Sequence, residues 1–350
     1  MQTINIFTDN QNIRIQSAGG IKFIQENWMK EQTQNNNNTK STKNNKWQSI
    51  LFLSAFILFA GTTIAQEKDN TSAYILEASY TNDIISNLSG GLEQKTCNLG
   101  LANMSISFDT EKAKWWAGGE ALINGTHTFG TAGTGDFTGD FQGVSNIEAG
   151  NWTYIYELWY KQSFKNISVI LGIQDLNVDF GSSEYAGLFL NGSFGTHSTI
   201  ANNLPAPIFP LPVLGAQVQI QLNEKISWKT IVFDGCADDF YTNPHNTIWR
   251  LKKEDGLMTF TEFTRLDTLK KLPGTYRFGA YYHNHIAITD ETNPGNTTYT
   301  NNYGIYMVID QTIHTTKKGK QISLFNQTSV SPATINNHWY YIGFGCDISG

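Results

Sequence analysis

The chain has 350 residues and a formal net charge of −6, and charged residues make up only 15% of it. Soluble domains typically contain about 25% charged residues, so the surface carries few charges, and the acidic balance argues against nucleic acid as a partner. Cys97, Cys236 and Cys346 are far apart and form no Cys-x-x-Cys pair, which argues against a zinc site, a redox site or a disulfide framework.

Residues 47–65 have the pattern of a secretory signal peptide. A lysine-containing flank precedes a short apolar core, and Thr63-Ile64-Ala65 resembles a cleavage site. The core is too short for a membrane-spanning helix, which needs about 20 residues; an uncleaved anchor or a buried helix is the alternative. Because such signals begin close to the initiator methionine, we expect residues 1–46 to be disordered or a mis-assigned N-terminal extension, with the folded domain over 66–350.

After the signal, the chain repeats runs of about ten residues with period-two alternation, each followed by a turn. In one run, Tyr154, Tyr156, Leu158 and Tyr160 share an apolar face, because successive side chains of a strand point in opposite directions. We expect this face to meet lipid and the opposite, polar face to line a lumen. The predicted strands are 74–88, 97–109, 116–129, 153–164, 168–180, 214–225, 227–235, 256–267, 274–285, 302–313, 319–329 and 338–348. The alternation is irregular at 168–174, 228–233 and 256–266.

The connections between these strands alternate in length. Short ones lie near 110–115, 165–167, 226, 268–273 and 314–318, and long ones at 130–152, 181–213, 236–255, 286–301 and 330–337. Short turns at one end and long loops at the other are typical of outer-membrane barrels, and tryptophans near the strand ends fit a membrane–water boundary. The composition and pattern therefore predict an all-β protein.

Several ordered motifs carry a family resemblance. They are Tyr80 to Gly91, Ile106 to Lys112, Gly139 to Glu148, Tyr156 to Tyr160, Gly172 to Asn177 and Ala186 to Gly195. Their order is similar to that of the carbohydrate-selective porins of the OprB type in Gram-negative outer membranes. The resemblance implies an antiparallel transmembrane β-barrel of about 16 strands for facilitated diffusion of mono- or small oligosaccharides. We count about twelve strands and no terminal aromatic residue, so we expect a fragment truncated at its C-terminus; a twelve-strand barrel is the alternative.

A sugar presents hydroxyl groups on its rim and C–H patches on its faces, so a selective channel needs polar side chains and an aromatic ring together. Glu157, Trp159 and Lys161 share one strand face and supply an acceptor, a stacking surface and a donor. We predict that they line the pore, together with Glu148, Asp175, Asn177 and Arg277. The alternative for each is a solvated lumen residue without a specific role.

The connection 181–213 is too long for a simple loop and contains apolar residues that need a packing surface. We expect it to fold into the barrel and to narrow the pore, with Glu184 or Asn191 near the constriction. An external lid or a subunit contact is the alternative.

Two other functions compete with a porin. A secreted or surface β-rich binding protein would be soluble without detergent, and an outer-membrane barrel enzyme would need a catalytic motif. None of the seven histidines lies in a Gly-x-Ser-x-Gly or His-Glu-x-x-His setting, so we expect no enzyme, no metal and no cofactor. The expected partners are a carbohydrate substrate and outer-membrane lipid, and the sequence leaves open a homo-oligomer.

Overall fold

The structure, a computed structural model, describes residues 5–9, 12–16, 72–140, 142–289 and 297–350, without the side chains of 5–16 and 285–300. The strands are β1 (Asn5–Asp9), β2 (Asn12–Gln16), β3 (Tyr74–Ser86), β4 (Thr96–Asp109), β5 (Gly119–Phe129), β6 (Trp152–Phe164), β7 (Ile167–Gln174), β8 (Val213–Gln221), β9 (Ile226–Asp234), β10 (Leu257–Leu269), β11 (Leu272–Thr289), β12 (Thr297–Thr315), β13 (Gln321–Val330) and β14 (Tyr340–Ser349). Helical elements are a π-helical turn (Thr134–Thr138), α1 (Leu176–Asp179), two 3₁₀ turns (Ala186–Leu188 and Gly192–Phe194) and α2 (Ser198–Ala201). The predicted signal peptide and most of residues 1–46 lie outside the described residues.

Strands β3 to β14 form one twelve-stranded sheet, and their order in the sheet follows their order in the chain. Each pair whose register is resolved is antiparallel, including pairs joined by long connections. The predicted all-β fold with twelve strands is therefore confirmed. Strands β1 and β2 pair with each other in a separate two-stranded sheet.

The described residues divide into two compact units. Of the described residues, unit 1 comprises those up to 161 together with 190–192 and 238–248, and unit 2 comprises those in 162–189, 193–237 and 249–350.

The strands of unit 2 have one exposed apolar face and one covered face. On β14, Tyr340, Ile342, Phe344 and Ile348 are exposed, whereas Tyr341 between them is buried. On β11, Phe278 and Tyr282 are exposed, whereas Tyr281 and His283 are buried. The period-two alternation of the sequence thus separates the two faces as predicted.

Glycines on the covered face allow aromatic rings to lie across neighbouring strands. Gly279 of β11 lies directly opposite Tyr306 of β12, and a Cβ at Gly279 would overlap the Tyr306 ring. The same relation holds between Gly304 of β12 and Tyr281 of β11. Each ring covers the backbone of the adjacent strand, which compensates for the packing that a glycine itself lacks.

In unit 1, a small core forms where β3 and β4 meet the connection after β5. Its buried members are Ile85, Cys97, Leu99, Phe137, Val144 and Ile147. The expectation that Tyr154 faces lipid is wrong: its side chain is only 3% exposed, because Phe240 from the β9–β10 connection packs on it at a ring-centroid distance of 4.7 Å. Tyr160, at the other end of the same strand face, is exposed as predicted.

Strand β7 ends earlier than the predicted strand 168–180. Asp175 caps α1 by accepting a hydrogen bond from the backbone N–H of Asn177 at 2.5 Å, which turns the chain out of the sheet after Gln174. Asp175 and Asn177 therefore do not lie on a strand, contrary to the prediction from the sequence.

Substituting Gly279 by alanine tests the packing of aromatic rings on glycine. We expect Gly279→Ala to lower the free energy of unfolding by about 1–3 kcal/mol, since the new methyl group displaces the Tyr306 ring. Gly187→Ala is the matched control, because a Cβ at that position meets no atom within 4 Å. Urea unfolding measures both variants, and equal midpoints for the two would contradict the role of the ring.

Candidate functional site

In unit 1, β6 brings together the three residues predicted to contact a sugar. Trp159 Nε1 donates a hydrogen bond to Glu157 Oε1 at 3.3 Å, and Asn124 Nδ2 of β5 donates to Glu157 Oε2 at 3.5 Å. Lys161 Nζ forms an ion pair with Glu120 Oε2 at 3.2 Å, and both side chains remain partly exposed. An acceptor, an indole ring and a cation therefore follow one another on the same side of β6.

The polar side of β6 continues across the neighbouring strands. Asn124 lies opposite Ser105 of β4, which in turn lies opposite Glu77 of β3. The opposite face of the same strands carries exposed Leu76, Ile106 and Ile123. Unit 1 thus has one polar face and one apolar face, with Glu157 on the polar one.

Glu148 lies in the connection between β5 and β6, apart from the β6 residues. Its carboxylate accepts hydrogen bonds from the Thr134 N–H at 3.1 Å and from Thr134 Oγ1 at 2.9 Å. Burial raises the pKa of Glu148 to about 7, and the charges of Asp140 and Asp136 add to this while the bonds from Thr134 oppose it. Glu148 lies near the end of the β5–β6 connection and Thr134 near its start, so these hydrogen bonds link the two ends of the connection.

In unit 2, one segment packs on the covered face of the sheet. We call residues 175–189 and 193–212 the covering segment. Its Leu176, Phe180, Ile200 and Leu204 form a core with sheet residues; those sheet residues are Val213, Ile231, Phe233, Met258, Phe260, Tyr281, Tyr306 and Val308. The predicted packing surface for the apolar residues of this connection is therefore the covered face of β8 to β12.

Glu262 of β10 binds the covering segment through its backbone. Its side chain is fully buried, and its carboxylate accepts hydrogen bonds from the Gly181 N–H at 2.8 Å and the Tyr306 hydroxyl at 3.0 Å. Lys229 of β9 forms an ion pair with the same carboxylate at 3.0 Å and also donates to the Asp179 carbonyl. A buried carboxylate requires such donors, because removing it from water is costly.

Asp310 of β12 makes a second connection of the same kind. Its carboxylate accepts from the Glu184 N–H at 3.2 Å and from the Ser183 hydroxyl, and it forms an ion pair with Arg277 Nη1 at 2.9 Å. Both side chains of this ion pair are largely buried. Arg277, predicted as a pore-lining cation, is thus paired with the Asp310 carboxylate, which binds residues 183 and 184.

His197 lies at the start of α2, between two aromatic rings. The ring centroids of Tyr306 and Tyr341 are 5.4 and 5.5 Å from that of His197. Burial lowers the pKa of His197 to about 4, so the ring is neutral at pH 7. This part of the covering segment is therefore packed as an uncharged aromatic cluster.

Asp175 and Asn177 act within the covering segment. Asp175 caps α1, and the side chain of Asn177 accepts a hydrogen bond from the Thr196 hydroxyl. Of the two residues predicted near a constriction, Glu184 is exposed, whereas Asn191 is buried and belongs to unit 1.

The sequence reasoning missed Glu262, Lys229 and Asp310, which hold the covering segment. Lys229 and Glu262 lie in the runs where the alternation is irregular, so no clear polar face pointed to them. A lone charge inside an apolar strand, such as Glu262 between Phe260 and Phe263, is the signal that could have found them.

Within the described residues, no group of three or more His, Cys, Asp or Glu side chains is arranged to hold a metal ion. None of the helices in the described part of the chain has the length and apolar character needed to cross a membrane.

Comparison with known proteins gives a family and a fold. The family model described as carbohydrate-selective porin, OprB family, matches residues 93–350. The high-pH structure of Pseudomonas putida OprB is similar to this structure over 79% of this chain and 71% of that chain, with 19% identity and a TM-score of 0.70. For the low-pH structure of Pseudomonas putida OprB, the coverage is 78% and 70%, the identity 14% and the TM-score 0.46. A search of curated proteins found no significant match.

A pH series on Glu148→Gln tests the raised pKa of this carboxyl group. The folded state holds the Glu148 proton up to about pH 7, whereas the unfolded chain releases it near pH 4.5, so Glu148 contributes a loss of stability as the pH rises from about 5 to 7. The glutamine variant keeps an acceptor for Thr134 and lacks this contribution, so it should become more stable relative to the wild type over this range. Unfolding midpoints at each pH measure the difference, with exposed Glu254→Gln as control; a wild-type–variant difference that does not change with pH would contradict the prediction.

Proposed function

Since this chain belongs to the OprB family of carbohydrate-selective porins, we propose that its covering segment narrows the channel and that Glu157, Trp159 and Lys161 contact the passing sugar. The protein is an outer-membrane porin for carbohydrates, as the sequence predicted. The proposed role is passive transport without a catalytic step.

The observation that supports a narrowing is the packing of the covering segment on one face of unit 2. The opposite face of the same strands exposes large apolar side chains, such as Phe278 and Phe344, which suit contact with lipid. The covered face is then the side that lines the channel. Chain that occupies this side reduces the cross-section available to a solute.

The two buried carboxylates, Glu262 and Asp310, suit a segment that must stay in place while solutes pass. Glu262 and Asp310 each bind a backbone N–H of the covering segment and each pair with a cation of the sheet. Because charge-assisted hydrogen bonds in a buried setting are strong, the segment is fixed at residues 181 and 184. We propose that Arg277 serves the channel in this way, by helping Asp310 to hold the segment on the sheet. We propose that Asp175 and Asn177 serve it from within the segment, by fixing the segment's own fold.

Glu157, Trp159 and Lys161, which we call the β6 group, offer the chemistry that a sugar needs. The Trp159 ring can lie against a C–H face, while the Glu157 carboxylate accepts and the Lys161 ammonium donates to hydroxyl groups. Each charge already has a protein partner, so a sugar exchanges one hydrogen bond for another and no single contact is too strong for release. We propose that Glu148 supports this region indirectly, by holding the connection before β6 to Thr134.

Shortening the covering segment tests the narrowing. We expect deletion of residues 185–205 to raise single-channel conductance in planar bilayers, because it removes chain from the channel side of the sheet. Deletion of the exposed residues 250–254 is the control and should leave conductance unchanged. Heat-modifiable mobility on a gel checks that both variants fold, and unchanged conductance in the folded 185–205 deletion would contradict the proposal.

Removing the indole ring tests the sugar contact. We expect Trp159→Ala to weaken the block of ion current by added sugar about 2- to 10-fold, which corresponds to about 0.5–1.5 kcal/mol for a lost aromatic contact. Trp339→Ala, which removes an exposed indole outside the strands, is the control. An unchanged sugar-block constant in Trp159→Ala would show that this ring does not contact the solute.

A further inference from the structure

The tight turns of unit 2 are rich in lysine. Four turns join β6 to β7, β8 to β9, β10 to β11 and β12 to β13, and they span 165–166, 222–225, 270–271 and 316–320. They contain seven lysines and one acidic residue, Glu224; the lysines are Lys165, Lys225, Lys270, Lys271, Lys317, Lys318 and Lys320. Because the strands are antiparallel, these turns share one end of the unit. We call the seven lysines the turn rim.

Several of these lysines occupy backbone conformations that do not favour lysine. Lys165, Lys270 and Lys271 have φ values of 52°, 51° and 68°, in the left-handed region. Lys270 and Lys271 form the whole two-residue loop between Leu269 and Leu272, where Asn-Gly is the preferred pair. A side chain with Cβ is strained in this region, so turn stability alone does not explain the lysines.

The turn rim is also free to bind a partner. All seven side chains are exposed. Among the described residues, Lys225 pairs with Asp267 at 3.7 Å, and no ion pair is formed by the other six. Their charges are therefore not needed to balance carboxylates of the described chain.

The residues beside the turn rim indicate which partner it meets. Phe164 and Leu269 adjoin turns and Leu222 begins one, and their side chains are 60%, 55% and 52% exposed respectively. The exposed apolar face of the strands thus reaches the turns, which places the ammonium groups at the edge of the hydrocarbon layer. Lysine stems at such an edge lie along apolar groups while the charge reaches the headgroups.

The long connections of unit 2, which leave the sheet at the end opposite the turns, differ in charge. One of them, the covering segment, contains Asp175, Asp179 and Glu184 and no lysine or arginine. Cationic residues at that end are Arg250, Lys252 and Lys253, beside Glu254 and Asp255. An excess of positive charge is therefore specific to the turns.

We propose that the turn rim is a docking surface for the phosphate groups of anionic phospholipids in the leaflet next to the turns. The phosphate of such a headgroup carries a negative charge and accepts hydrogen bonds from the ammonium groups. The apolar residues at three of these turns hold the acyl chains of the same lipid. This interaction orders the lipid around the protein and does not involve the channel.

Vesicles with and without phosphatidylglycerol test the proposal. The full chain is reconstituted in phosphatidylcholine with a trace of spin-labelled phosphatidylglycerol or phosphatidylcholine, and the immobilised fraction of each label is measured. We expect a preference for phosphatidylglycerol that falls as salt is added and that drops by about twofold or more in Lys270→Asn/Lys271→Gly. This double variant introduces the favoured turn sequence, so it should fold at least as well as the wild type.

Lys252→Asn/Lys253→Gly makes the same changes at the other end of the unit and should keep the lipid preference. An equal preference for phosphatidylglycerol in the wild type and the turn variant would overturn the proposal. Competition by free glycerol phosphate as strong as that of the membrane lipid would overturn the assignment to a headgroup in the bilayer. Since no sugar is transported in this experiment, its failure would leave the proposed channel untouched.

Discussion

A carboxylate without access to water determines how unit 2 is built. Glu262 is fully buried, and its carboxylate is stabilised there by Lys229, by the Tyr306 and Thr264 hydroxyls and by the Gly181 N–H. Three of these donors come from the sheet and one comes from the covering segment. The carboxylate therefore requires the segment to be in place, and the polar N–H of Gly181 in turn requires the carboxylate, since a buried backbone donor needs a partner. Asp310 repeats this arrangement with Arg277 and Glu184.

Most of the sheet could be predicted from the sequence because its cause is local. Side chains that alternate between two environments leave a period of two, and β14 shows it clearly, with exposed Tyr340, Ile342 and Phe344 at every second position. Strands that follow one another in the chain lie side by side in most sheets, and here they do so across short and long connections alike, which gives the observed strand order. The β6 group was found for the same reason, since Glu157, Trp159 and Lys161 need only one strand to bring them together.

The remaining features depend on contacts that are distant in the chain. In β9 and β10 the alternation is irregular because the covered face is itself apolar where Phe233, Met258 and Phe260 meet the covering segment. Tyr154 is buried by Phe240, which lies more than eighty residues later in the chain. The alternation of side chains within one strand cannot predict such a contact. The sequence wrongly predicts a strand at Asp175, because its role as a helix cap depends on where the sheet hydrogen bonds stop.

Charge is used differently on the covered face and at the turns of unit 2. On the covered face, Lys229 and Arg277 each neutralise a buried carboxylate, so the cations contribute to the packing of the covering segment. At the turns, Lys270 and Lys271 stand in strained backbone positions without carboxylate partners among the described residues. A cation that stabilised the fold would be expected at a paired position, because an unpaired ammonium adds nothing to folding and a left-handed φ subtracts from it. The positive charge of the turns is therefore explained by what lies outside the chain, whereas the charge of the covered face is explained within it.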